Sequence, residues 1–177
     1  MIAALYAVLT LASHALGLAN GQIQVRLSEA LCILPLLTPA AVPGLFAGCI
    51  LSNIITGAAL PDIIFGSLAT LIGAIGTRML KSNKYLSVIP PVAANTIIIP
   101  LLLYFAYGIR PLWLSFITVF AGEIISAGVL GILLYNAKVI KLLKHFICCS
   151  EIKRCLVISI IEFICSNNTS IYFILWI

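Results

Sequence analysis

Long apolar stretches alternate along the chain with short polar or proline-bearing breaks, and the breaks predict six helical spans. Their expected bounds are about Met1 to Ala19, Arg26 to Leu37, Ala41 to Ile55, Pro61 to Leu80, Leu86 to Tyr107 and Leu112 to Tyr135. The polar turn Asn20 to Gln24, the prolines Pro39 and Pro43, and the basic turn Lys81 to Lys84 punctuate them. A helix crosses a bilayer with about 20 apolar residues, so the second and third segments are short. They are expected to be tilted, re-entrant or joined by a break near Pro39 to Pro43, as in discontinuous helices that line binding cavities. No alternating barrel pattern occurs, and hydrocarbon does not tolerate unpaired backbone groups, so every span is read as a helix.

Composition agrees with that pattern. Of the 177 residues, 63% are hydrophobic and 8% charged, whereas a soluble domain carries about 25% charged residues. The chain is therefore expected to be an all-α, multi-pass protein of the cell membrane with no soluble catalytic domain. The net charge of +5 does not point to nucleic acid, because the basic residues form no broad patch. Arg78, Lys81, Lys84, Lys138, Lys141 and Lys144 are six of the eight Lys and Arg before position 146. The positive-inside rule places their two loops in the cytoplasm, giving an N-in, C-in topology. The run from Met1 to Leu18 lacks a basic n-region and a small-residue cleavage site, and is read as the first span. Six cysteines show no CxxC spacing, so neither a disulfide framework nor a metal site is expected. No phosphate-cradling loop, nucleophile elbow or cofactor motif occurs, and any energy source must lie in another polypeptide.

Against this background a few polar residues stand out. Glu123 lies mid-way along the sixth span with no other charge in it, at an insertion cost of about 3 kcal/mol. Ala127 and Gly131 share its face at helical spacing and leave room beside it. Asn95 is near the middle of the fifth span; Arg26 and Glu29 share a face of the second; Asn53 and Asp62 lie near the outer ends of the third and fourth. All six map to the outer half or the centre, which suggests a cavity open to the outside. Each also has a plainer role: Asp62 as a helix-start residue, Arg26 with Glu29 as an ion pair, and the asparagines as interhelical hydrogen bonds. Phe65, Tyr104, Tyr107, Trp113 and Phe120 are candidates for stacking on a planar ligand or for an interfacial belt. Gly44 with Gly48, Ala3 with Ala7, and the stripe Gly66, Ala69, Gly73 and Gly76 mark close helix approaches. A membrane enzyme using Glu123 and His14 as acid and base is the rival from another class, without any recognised catalytic spacing.

The string from Gly21 to Gly73, with its RLSEAL, PGLFAGC and DIIFGSLAT segments, completes the sequence reading. Together with PPVAAN (Pro90 to Asn95) and AGEII (Ala121 to Ile125) it resembles the queuosine-precursor transporter family QueT, over about residues 1 to 145. The resemblance implies the substrate-binding S component of an energy-coupling factor transporter. It further implies six membrane helices with both termini cytoplasmic, a transmembrane coupling subunit and two cytoplasmic ATPases as partners, and a 7-deazaguanine base as substrate. In related S components an AxxxA stripe on the first helix meets the coupling subunit, which Ala3 and Ala7 match. The candidate substrate contacts are Glu123, Asn95, Glu29, Arg26, Asn53 and Asp62. Residues 146–177 depart from the family pattern and are read as a divergent tail beyond a membrane domain of residues 1–145.

Overall fold

The computed structural model describes residues 1–17, 26–108 and 110–137, and within them every regular element is helical. Helix α1 covers Ile2–Ala15, α2 Leu27–Leu36, α3 Ala41–Ile55, α4 Asp62–Met79, α5 Leu86–Tyr107 and α6 Leu112–Asn136. The breaks in hydropathy therefore fall where the helices end. Helices α4, α5 and α6 are long and apolar enough to cross a membrane; α1, α2 and α3, of 14, 10 and 15 residues, are shorter. The turn Asn20 to Gln24, the basic stretch Lys138 to Lys144 and the tail 146–177 lie outside the described residues.

Helix α2 is the centre of the bundle. All of Ser28 to Pro35 is buried, as expected of a segment apolar on every side. Its neighbours are all five other helices, α1, α3, α4, α5 and α6. The segment is wound as a 3₁₀ helix, whose rise of about 2.0 Å per residue extends its ten residues over about 20 Å. That winding lines up side chains three apart, placing Glu29 and Cys32 in one column with Arg26 at its head. Both ends of α2 are tied by other helices. The Ser13 hydroxyl of α1 accepts the first amide, Leu27 N, at 2.9 Å, and Arg78 Nη1 of α4 donates to the Pro35 carbonyl at 3.1 Å. These contacts satisfy backbone groups that a helix end leaves open. A break at Thr38 to Ala40, where the Thr38 hydroxyl accepts Ala40 N at 3.3 Å, turns the chain into α3.

The small-residue stripes pack within the chain. A Cβ on Gly73 would lie 2.7 Å from Pro91 Cα, and one on Gly76 would collide with Pro90, so α4 and α5 touch backbone to backbone. After a 3₁₀ turn at Leu86–Val88, Pro90 and Pro91 fall in the first α-helical turn of α5, where a missing N–H costs little. Gly108 ends α5 in the left-handed conformation at φ +64, a position that favours glycine. Gly73→Ala is expected to destabilise the protein by about 1–3 kcal/mol through overpacking. Detergent-solubilised melting curves of the variant and the parent check this.

Polarity is inverted relative to a water-soluble bundle. Phe105 is 79% exposed, Trp113 63% and Val8 60%, while Ser13, Ser28, Ser52, Ser67, Thr70, Asn53, Asn95, Glu29 and Glu123 are buried. Apolar side chains outside and hydrogen-bonded polar ones inside is the arrangement that lipid solvent selects.

Candidate functional site

Four of the six polar residues singled out in the sequence meet in one place. Arg26 and Glu29 of the α2 entry, Asn95 of α5 and Glu123 of α6 line a single cavity with Gly66, Thr70, Ile99 and Val119. Asn95 lies about a dozen residues before the end of α5 and Glu123 about as many after the start of α6, roughly 18 Å at 1.5 Å per residue. Two residues distant in sequence thus reach the same depth because α5 and α6 run antiparallel through Gly108 to Pro111.

Each wall is held by recognisable local structure. Glu29 Oε1 accepts the Tyr6 hydroxyl at 2.6 Å, and its Oε2 accepts the Cys32 thiol at 3.1 Å and Asn95 Nδ2 at 3.5 Å. Asn95 and Glu123 stand together on the wall of this cavity. The second Glu123 oxygen, Oε2, is buried without a hydrogen-bond partner. Glu123 is only 8% exposed, so this oxygen forgoes a bond that burial normally demands. The Arg26 guanidinium has no hydrogen-bond or ion-pair partner among the described residues, and the expected pair with Glu29 is not formed. Thr70, whose hydroxyl donates to the Gly66 carbonyl at 3.0 Å, completes the α4 wall.

The helices are irregular where they meet the cavity. A π-wound turn, Ile124–Leu130, begins directly after Glu123, and another, Asp62–Gly66, ends on the wall residue Gly66. Such turns are frequent at functional sites because they re-aim side chains without ending a helix. The expected space beside Glu123 is taken up by packing: Ala127 is buried, and a Cβ on Gly131 would lie 3.6 Å from the Ala30 carbonyl oxygen of α2. The cavity itself measures about 20 Å³, enough for one water. Larger hollows of about 400 and 440 Å³ lie between α5 and α6 and between α4 and α5. They are lined by side chains such as Ile89, Ile97 and Phe105, each more than half exposed, and belong to the outer apolar surface.

The other sequence expectations fall elsewhere. Asn53 does not line the cavity; its Nδ2 donates to the Asp62 carbonyl at 3.3 Å and sits one layer behind Gly66. Asp62 does not line it either, because its Oδ2 accepts the Tyr107 hydroxyl and so clasps the start of α4 to the end of α5. None of Phe65, Tyr104, Tyr107, Trp113 and Phe120 is among the lining residues, and Phe65 and Phe120 instead line the outer hollows. His14 is likewise absent from the lining. Ala3 and Ala7, expected at a partner interface, face the chain's own third helix. Ala7 is buried, and a Cβ on Gly48 would sit 2.9 Å from the Ala3 carbonyl oxygen.

Sequence reasoning missed Tyr6, Cys32, Gly66 and Thr70. The signal for Tyr6 was present: Tyr6, Thr10 and Ser13 form a polar stripe at helical spacing on the buried side of α1. Cys32 follows Glu29 by three, a spacing that aligns in a 3₁₀ helix and diverges in an α-helix.

An all-helical bundle with apolar side chains outside and polar ones buried at mid-helix depth is a membrane protein. The family model described as QueT transporter matches residues 1–139, and the chain belongs to that family of transporters. No curated protein and no solved structure matches it.

Proposed function

We propose that this protein is the substrate-binding S component of an energy-coupling factor transporter and captures a queuosine precursor, a 7-deazaguanine base, from outside the cell. The observation that carries the reading is Glu123 Oε2, a buried carboxyl oxygen without a partner, on a residue that lines one cavity with Arg26, whose guanidinium has no hydrogen-bond or ion-pair partner among the described residues. A guanine-like edge offers an N–H and an amino group side by side, which one carboxylate accepts together. The Arg26 guanidinium is suited to the ring carbonyl, and Ile99 and Val119 supply the apolar faces against which the ring lies. A bicyclic base is several times larger than the single water this cavity accepts. The described form is therefore the closed one, and binding separates the walls. The π-wound turns on α4 and α6, with their weaker hydrogen bonding, are where that separation is placed.

Six membrane-crossing segments with both termini cytoplasmic put the cavity in the outer half and Arg78, Lys81 and Lys84 inside. Residues 1–145 are then the substrate-binding domain and residues 146–177 an appended tail. Transport requires a membrane coupling subunit and two cytoplasmic ATPases, because this chain carries no nucleotide-binding motif. Ala4, Val8, Leu11 and Ala15, all exposed, form the side of α1 proposed to meet the coupling subunit, next to Ala3 and Ala7.

Equilibrium dialysis of a radiolabelled aminomethyl-7-deazaguanine against the purified protein tests the substrate. Saturable binding with Kd at or below about 1 µM, or about −8 kcal/mol, is expected. Absence of saturable binding, or tighter binding of an unrelated vitamin, contradicts the assignment. In cells, uptake of the base is expected to require the ATPases. Uptake that persists without them identifies a stand-alone carrier instead.

A further inference from the structure

Glu29 lines the cavity, yet its carboxylate is already committed within the protein. One oxygen is taken by Tyr6 at 2.6 Å, the other by Cys32 at 3.1 Å and Asn95 at 3.5 Å. Tyr6 and Cys32 are each 1% exposed, Glu29 2% and Asn95 4%, and Tyr6 and Cys32 stand behind the cavity wall rather than on it. The group links three helices, since Tyr6 is on α1, Glu29 and Cys32 are on α2, and Asn95 is on α5. An ionised carboxylate only accepts hydrogen bonds. It therefore dictates that the Asn95 amide turns its NH₂ end toward Glu29. Buried networks whose members are all satisfied hold one geometry strongly.

We propose that Glu29 is a positioning residue and not a ligand contact: braced by Tyr6 and Cys32, it fixes the orientation in which the Asn95 amide meets the substrate beside Glu123. The proposal rests on the reading of this cavity as the substrate site. Asn95 is then read by the ligand only in the orientation Glu29 sets, and Tyr6 contributes to specificity without touching the base.

Tyr6→Phe tests this, because it keeps the ring and removes only the hydroxyl that holds Glu29 Oε1. The first measurement needs no ligand. In protein labelled with ¹⁵N-asparagine, the side-chain N–H groups of Asn95 are expected to exchange with solvent at least tenfold faster in Tyr6→Phe than in the parent. Unchanged exchange overturns the brace. The second is a double-mutant cycle on base affinity. Tyr6→Phe is expected to weaken binding about tenfold in the parent and to have no further effect in Asn95→Ala, because linked residues are not additive. An equal loss in both backgrounds marks Tyr6 as a general packing residue and overturns the proposal. If the parent binds no 7-deazaguanine, the functional reading fails, while the exchange measurement still decides whether Glu29 positions Asn95.

Discussion

Glu123→Gln is expected to raise the dissociation constant for the base about 100-fold with little change in expression or melting temperature. The substitution keeps shape and volume and replaces a charged acceptor by a neutral amide, one end of which donates. Hydrogen bonds to charged groups contribute about 1.5–3 kcal/mol each, and a factor of ten corresponds to about 1.4 kcal/mol. The amide also turns a donor toward the donor edge of the base, so one favourable contact becomes a repulsive one. Folding is spared because Oε2 has no protein partner to lose and a neutral side chain is easier to bury in a membrane helix. Titration of labelled base against both proteins checks it. Equal affinity removes Glu123 from the site.

Gly48→Ala is expected to lower stability by about 1–3 kcal/mol and to weaken base binding at the same time. A Cβ there would lie 2.8 Å from Tyr6 Cβ, 2.9 Å from the Ala3 carbonyl oxygen and 3.0 Å from Ala3 Cα. Two of these atoms are backbone, so no side-chain rotation relieves the overlap and α1 must move away from α3. Moving α1 draws the Tyr6 hydroxyl off Glu29, which couples a packing defect to the cavity. Gly128→Ala is the matched control, since its Cβ would meet nothing closer than 3.9 Å. Melting temperature and affinity are expected to fall together for Gly48→Ala and to stay near the parent for Gly128→Ala. A destabilised Gly48→Ala that still binds normally would separate the α1–α3 contact from the site.

What the sequence made legible follows from contrast. Glu123, Asn95, Glu29 and Arg26 are polar or charged residues in apolar surroundings, and a bilayer forces such residues together, so their convergence could be anticipated from depth alone. Helix boundaries were equally plain, because Gly108, Pro39 and the Lys81 to Lys84 turn interrupt hydropathy abruptly. Departures from α-helical winding left no such mark. The 3₁₀ winding of α2 and the π turns after Glu123 and before Ser67 depend on tertiary packing, and they decide which residues share a face. That is why the spacing of Cys32 three after Glu29 carried no signal, although its thiol donates to Glu29. Small residues on α1 were ambiguous for a related reason: an AxxxA stripe permits close approach by any helix, and here Gly44 and Gly48 of the same chain supply it. The aromatic residues stayed ambiguous between ligand and interfacial belt because an apolar ring serves equally well against lipid and against a base. Asn53 and Asp62 were near enough in depth to join the set. Their partners, the Asp62 carbonyl and the Tyr107 hydroxyl, place them in the scaffold behind it.

The central claim is that the base sits between Arg26, Asn95 and Glu123. An experimental structure of the purified protein with bound 7-deazaguanine tests it most directly. The donor edge of the base is expected on Glu123, its carbonyl on Arg26, its ring between Ile99 and Val119, and the walls parted from the 20 Å³ of the closed form. A base found in either outer hollow, with the closed cavity unchanged, would contradict it.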